Sequence, residues 1–175
     1  MTGTAMKPGG LPAWLPALHT LASHGGNWGE YEEVLYETYT NDFVKSKPKV
    51  LGGRRWALKR HPLEKGKEAT FWHLISEGED EEERLPHMGR CERLCWVRPL
   101  IDHFGSPDVY AWEQRRRANE RRLALSLVDF SFVVILADRT TYVLPWTAFP
   151  VEREHRRAKL RSEYHAFAAS KKPLF

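Results

Sequence analysis

The stretch that most constrains the fold is the last third of the chain, residues 121–164. Phe132-Val133-Val134-Ile135-Leu136 is almost wholly apolar and rich in β-branched residues, which suits a central strand covered on both faces. Leu123, Leu125 and Leu127 alternate with Ala124 and Ser126, the period of a strand with one buried face. Val128-Asp129 and Asp138-Arg139 are polar breaks too short for a crossover, so antiparallel hairpins are expected. Pro145 has no N–H for a ladder, so the third strand, begun at Tyr142, is expected to bulge or end there. Pro150 stands where a first helical residue belongs, with Glu152 and Glu154 in the electropositive first turn. Three hairpin-linked strands feeding one helix are the most legible unit of the chain.

With 175 residues, 42% of them hydrophobic, and seven tryptophans, the chain is long and apolar enough for a single packed core. The expected organisation is a mobile leader over residues 1–10, one α+β domain over 11–170 and a tail over 171–175. No apolar run approaches the roughly 20 residues of a membrane span. The first ten residues lack the charged start and apolar block of a secretory signal. A cytoplasmic protein without a membrane partner is therefore expected. Net charge is +4 but unevenly placed. Residues 78–84 are acidic, whereas 115–117, 121–122 and 153–161 are basic. Basic clusters among aromatics favour an anionic partner, nucleic acid first; the alternative is an ordinary solvated charged surface.

Along the chain, residues 11–23 are expected to form a short helix ended by His24-Gly25-Gly26. Asn27 is a good N-cap, with Glu30 three residues later. The following helix carries Trp28, Tyr31, Leu35, Tyr39 and Phe43 as a core-facing stripe. Lys47-Pro48 stops it. Trp56-Ala57-Leu58 reads as a short edge strand. Thr70-Phe71-Trp72-His73-Leu74-Ile75-Ser76 groups Phe71, His73 and Ile75 on alternate positions, and a strand is preferred over a short helix. Residues 90–97 suit a short helix, with Pro99 expected to kink it or begin another. Residues 109–112 read as a strand, 115–122 as a basic connection, and Leu160, Tyr164 and Phe167 as the buried side of the last helix.

Several chemistries can be weighed on these elements. His73 is a candidate general acid or base, because imidazole exchanges protons near neutral pH; a hydrogen-bonded core histidine is the competing reading. In Arg90-Cys91-Glu92-Arg93-Leu94-Cys95-Trp96-Val97-Arg98, guanidinium groups suit phosphate and Glu92 suits acceptance of a hydroxyl proton. Internal Glu–Arg pairing on a surface helix competes with that reading. His87, Cys91 and Cys95 are spaced by four and would share a helical face. Without a second Cys/His pair they predict buried thiols rather than zinc. Thr147, in Trp146-Thr147-Ala148-Phe149-Pro150, can donate to a phosphate beside a helix start, or simply satisfy its own turn. The serine-nucleophile, P-loop and dinucleotide glycine patterns are absent, which removes hydrolases, NTPases and dinucleotide enzymes of those types.

Taken in order, the His73 segment, Arg90-Cys91-Glu92-Arg93-Leu94 and Tyr142-Val143-Leu144-Pro145-Trp146-Thr147-Ala148-Phe149-Pro150-Val151 resemble phage and prophage nucleases of the barnase–EndoU–colicin–RelE-like superfamily. The likeness covers about residues 33–164. It implies N-terminal helices packed on an antiparallel sheet of about four strands, RNA lying across that sheet, and metal-independent cleavage in which the ribose 2′-hydroxyl attacks the adjacent phosphate. The candidates this implies are His73 as acid or base, Thr147 as phosphate donor, Arg90, Arg93 and Arg98 for charge stabilisation and Glu92 as a second acid/base. Trp96 and Trp146 are candidate stacking surfaces for bases. The expected partner is RNA, with transfer and messenger RNA as candidate substrates and an antitoxin or immunity protein as a second partner; no metal or cofactor is expected. The competing reading is a nucleic-acid-binding or phage interaction module on the same scaffold.

Overall fold

A computed structural model describes residues 10–49, 51–78, 80, 83–116 and 120–175. The expected leader therefore lies almost wholly outside the described residues, as do parts of the acidic run and of the basic stretch after residue 115. The architecture is α+β: N-terminal helices, a five-stranded, mostly antiparallel sheet, and a C-terminal helix packed on that sheet.

Residues 11–23 form no regular helix beyond a single 3₁₀ turn at Ala22–His24. Pro12 and Pro16 deny the backbone donors and αR neighbours that a helix there would need. The segment is instead tied down by side chains. Leu15 is buried, and the Trp96 indole donates to the Pro16 carbonyl at 3.0 Å. Helix α1 (Trp28–Tyr39) begins as its sequence requires, with the Asn27 side chain accepting from the Glu30 amide at 3.2 Å. Tyr31, Leu35 and Tyr39 are buried, and Phe43 continues their stripe through a π-helical turn at Thr40–Val44.

Strand β1 (Arg55–Trp56) is followed, after a loop, by α2 (Ala69–Ile75). The strand expected around His73 is thus a helix, with all seven residues buried. A short segment covered on every side has no polar positions to mark its period, so its alternation was not diagnostic. Thr70 Oγ1 donates to the Lys59 carbonyl and accepts from the Lys59 amide, tying α2 to the preceding loop. A small hairpin, β2 (Ser76–Glu77) with β3 (Leu85–Pro86), brackets the acidic run. Two helices follow, α3 (Met88–Cys91) and α4 (Leu94–Asp102). The break falls at residues 92–93, so Pro99 lies inside α4 rather than at a new start. Cys91 and Cys95 consequently stand on different helices and His87 precedes both, so the three do not form a single helical face.

Strands β4 (Val109–Arg116), β5 (Glu120–Leu127), β6 (Phe132–Asp138) and β7 (Tyr142–Pro150) form an antiparallel meander, and β1 adds a fifth strand parallel to β7. Much of the basic connection expected at 115–122 is therefore strand. All seven residues of β6 are buried: Phe132 to Ala137 are apolar, and Asp138 is paired with Arg54 and Arg121. Strand β7 does not end at Pro145. Its register slips there, with Leu136 opposite Pro145 and Ile135 opposite Thr147, leaving Trp146 as the extra residue of a bulge. Pro150 accordingly closes β7 opposite Phe132, and α5 (Glu154–Ala169) begins four residues later than expected.

The sheet separates two cores. Helices α1, α2 and α4 pack the larger one, which includes Phe71, Trp96, Leu125, Phe132 and Val134. On the other face Trp112, Ala124, Phe130, Val133, Ile135 and Val151 are packed by Leu160, Tyr164 and Phe167 of α5, with Tyr110 and Tyr164 stacked at 4.2 Å. No residue of α5 is fully buried. Among the described residues no helix is long and apolar enough to cross a membrane.

Candidate nucleic-acid interface

The site forms because β7 is only partly paired on its outer side. Strand β1 meets Tyr142 and Val143 alone, and beyond them α2 and α3 contact β7. Gly89 permits the close approach of α3: a Cβ there would stand 3.0 Å from Pro150 Cγ and 3.1 Å from the His87 ring. From this seat Arg90 reaches the face of the sheet that α5 covers. Its Nη1 donates to the Ser76 carbonyl at 2.7 Å and to Thr147 Oγ1 at 3.0 Å, and its guanidinium lies 5.8 Å from the Phe149 ring centre. Burial lowers the Arg90 pKa, opposed by the carboxylate of Glu77 nearby. Guanidinium is basic enough to remain charged despite this.

Arg90 and Thr147 line a cleft of about 590 Å³ between the sheet and the first half of α5. Its wall includes Gln114 of β4, Arg122 of β5, Ile135 of β6, and Arg156 and Lys159 of α5. The β-bulge explains the register: Trp112, Ala124, Ile135 and Thr147 form one row across four strands, with Gln114 and Arg122 paired in the next. Five arginine or lysine side chains line the cleft against three glutamates, so its field favours an anion. Arg90, Arg153, Arg156 and Lys159 have no carboxylate within 4.0 Å among the described residues. Their charge is therefore available to a ligand.

His87 also lines the cleft. Its Nδ1 is buried without a hydrogen-bond partner among the described residues. Sequence spacing had marked His87 only as a metal ligand to be set aside. Glu77 joins it in the wall, and nothing in the sequence distinguished this carboxylate from its acidic neighbours.

Other residues marked in the sequence fall elsewhere. Thr147 lies within β7 rather than in a turn at a helix start. His73 is 5% exposed and does not line the cleft; its ring meets Trp146 edge-on at 5.7 Å. Trp146 in turn lies under the Arg122 guanidinium at 5.1 Å, so His73 is two contacts from the cleft wall. Arg98 holds the fold together: it donates to the Asp42 and Lys47 carbonyls and pairs with Asp102 at 2.7 Å. Arg93 donates to the Gly89 carbonyl and lies over Trp96, which is 5% exposed and packed edge-on against Phe132. Glu92 caps α3 and lies 3.7 Å from Arg93. None of Glu92, Arg93, Trp96 and Arg98 lines the cleft.

Burial raises the Cys91 and Cys95 thiols to about 12 and about 11, so neither is a ready thiolate at neutral pH. Among the described residues no group of three His, Cys, Asp or Glu side chains could hold a metal ion. The arrangement can bind a phosphate at Arg90 and Thr147, with Arg122, paired to Glu120 at 3.0 Å, in the same wall and with His87 and Glu77 as the wall's proton-accepting side chains. In comparisons with family models, with curated proteins and with solved structures, nothing matches the chain.

Proposed function

We propose that the protein is a metal-independent endoribonuclease of the phage-derived toxin or effector type. The observation that carries this reading is the Arg90–Thr147 hydrogen bond at the wall of a basic cleft that His87 also lines. Arg90 and Thr147 come from motifs 57 residues apart, and both were marked by the resemblance to the barnase–EndoU–colicin–RelE-like superfamily. In this reading Arg90 and Thr147 hold the scissile phosphate and Arg122 adds charge as the pentacoordinate phosphorane forms. Glu77 or His87 removes the 2′-hydroxyl proton as that oxygen attacks phosphorus, and the other protonates the departing 5′-oxygen. The bond formed is 2′-O–P and the bond broken is P–O5′, giving a 2′,3′-cyclic phosphate and a 5′-hydroxyl. His73, behind Trp146, positions the bulge rather than touching the phosphate. Transfer or messenger RNA in the cytoplasm would be the substrate, and an antitoxin or immunity protein would hold the enzyme in check.

The test is to incubate the purified protein with end-labelled RNA in EDTA. The expected result is fragments ending in a cyclic phosphate, with an oligonucleotide lacking the 2′-hydroxyl left intact. Tight binding without cleavage would replace this reading with that of a nucleic-acid-binding module, and neither cleavage nor binding would leave an interaction protein.

A further inference from the structure

The cleft does not stop at the first half of α5. A second hollow of about 710 Å³ lies farther along the helix and shares Gln114, Lys159 and Glu163 with the first. The side of α5 that lines the two is a single stripe. Arg156, Lys159, Glu163, Ala166 and Ser170 follow one another in steps of three and four residues, so they lie on one helical face. From residue 156 to 170 that face extends ~21 Å. Arg115 and Lys172 flank the far end, and the half-buried Phe167 ring lines its floor.

The charges within the hollow are not equivalent. Glu163 accepts from the Gln114 amide at 2.6 Å and from the Trp112 indole at 3.4 Å, so it faces the sheet. Glu113 is engaged by Arg121 and Arg115, which lower its pKa. Lys159 and Lys172 have no carboxylate within 4.0 Å among the described residues. The hollow is thus lined by an aromatic ring and by ammonium groups without a carboxylate partner among the described residues, and it adjoins the cleft of Arg90 and Thr147 through the residues the two share. Cations that follow a backbone and a ring that accepts any base are what single-stranded nucleic acid recognises.

We propose that the groove along α5 is a track for single-stranded RNA, leading from the phosphate held by Arg90 and Thr147 to Phe167, Arg115 and Lys172. This rests on the ribonuclease reading and deepens it: the substrate is a single strand several nucleotides long, bound beyond the cut. A duplex is a poor fit, because the groove is closed on one side by the helix and on the other by the sheet.

The test uses 2′-O-methyl oligouridines, which bind without being cut, in a short form of about three nucleotides and a long form of about twelve. Binding is read by fluorescence anisotropy over a range of salt. For the native protein the long form is expected to bind more tightly than the short one. In Lys172→Glu and in Phe167→Ala, the loss on the long form should exceed the loss on the short form by about tenfold. Lys172→Glu should also make the salt dependence of the long form shallower, by roughly 0.7 in slope for the phosphate no longer held. Thermal melts identify any variant that has lost its fold, and Lys172→Gln, which removes the charge without reversing it, then gives the same reading in milder form. Equal losses on both lengths, or no loss on either, overturn the track and leave the cleft reading standing. Tighter binding of an RNA duplex than of the single strand overturns the choice of ligand. If the native protein binds neither length, the ribonuclease reading falls together with the track.

Discussion

The two faces of the central sheet are built from the same strands but differ in how their cations are used. On the face under α1, α2 and α4, the Arg98 guanidinium is surrounded by carbonyls and Asp102, and the core around it is closed. On the face under α5, Arg90 has a hydroxyl and a carbonyl for partners and, among the described residues, no carboxylate within 4.0 Å, and the core beside it opens into a cleft. The two arginines are eight residues apart in sequence. A guanidinium whose donors go to the protein's own acceptors stabilises the fold, whereas one that is oriented but not neutralised retains charge for a ligand.

The contrast is broken most directly at these two arginines. Arg90→Ala should lower RNA cleavage by about 10²–10³, the scale of losing one preorganised charge donor, with a much smaller effect on the melting curve. Arg98→Ala should do the reverse. Its loss strands the carbonyls of Asp42 and Lys47 and should cost about 2–3 kcal/mol in denaturant unfolding, with the rate per folded molecule preserved. If Arg98→Ala abolished cleavage in fully folded protein, the division between the faces would be wrong.

The two histidines sharpen the same division. His87→Ala should lower cleavage by roughly a hundredfold, the usual effect of removing an acid/base group. His73→Ala opens space between α2 and Trp146, and its first effect should be on stability. A loss of rate at His73 equal to that at His87, with an unchanged melting curve, would move the acid/base role back to His73.

This division was only partly visible in the sequence. The meander was legible because β6 is apolar from Phe132 to Ala137 and its polar connections are too short to permit a crossover. The α1 stripe was legible because four-residue spacing survives in an amphipathic helix. Arg90 and Thr147 were marked by their motifs, and the fold brings them together. Helix α2 was misread because burial on all sides erases the polar positions that would mark its period. Arg98 and Trp96 were indistinguishable in sequence from Arg90, because which way α4 faces depends on the break at residues 92–93. His87 was marked only by its spacing from the two cysteines and Glu77 by nothing, and the fold at the edge of β7 brings them into one wall with Arg90. The basic residues of α5 could be read from sequence as the mark of an anionic partner or as a solvated surface, and only the fold shows which sheet residues stand opposite them.

A smaller effect should appear at Gly52, well away from the cleft. Its φ of +55° is a left-handed conformation, and a Cβ there would stand 2.3 Å from the Phe175 ring. Gly52→Ala should therefore lower stability by about 1–2 kcal/mol while leaving cleavage untouched. Reduced cleavage at full occupancy of the folded state would mean that this distant corner is coupled to the cleft.

The smallest expected effect separates the faces by pH. Asp42 lies at the end of α1 on the closed face, and its carboxyl is raised from 3.8 to about 6, chiefly by burial and further by Asp102; Arg98 opposes both. The folded protein therefore holds this proton more tightly than the unfolded chain does. The stabilisation that results is fully present below about pH 4 and is lost as pH rises through about 6. Asp42→Asn cannot ionise, so it should gain stability relative to the native protein across that window and hold a constant advantage above it. With partial exposure and solvent screening counted, the gain should be on the order of 1 kcal/mol. Urea unfolding at a series of pH values measures it. Because Arg98 rather than Arg90 faces Asp42, the pH dependence of cleavage should be the same in both proteins; a shifted activity profile in Asp42→Asn would show that the two faces titrate together.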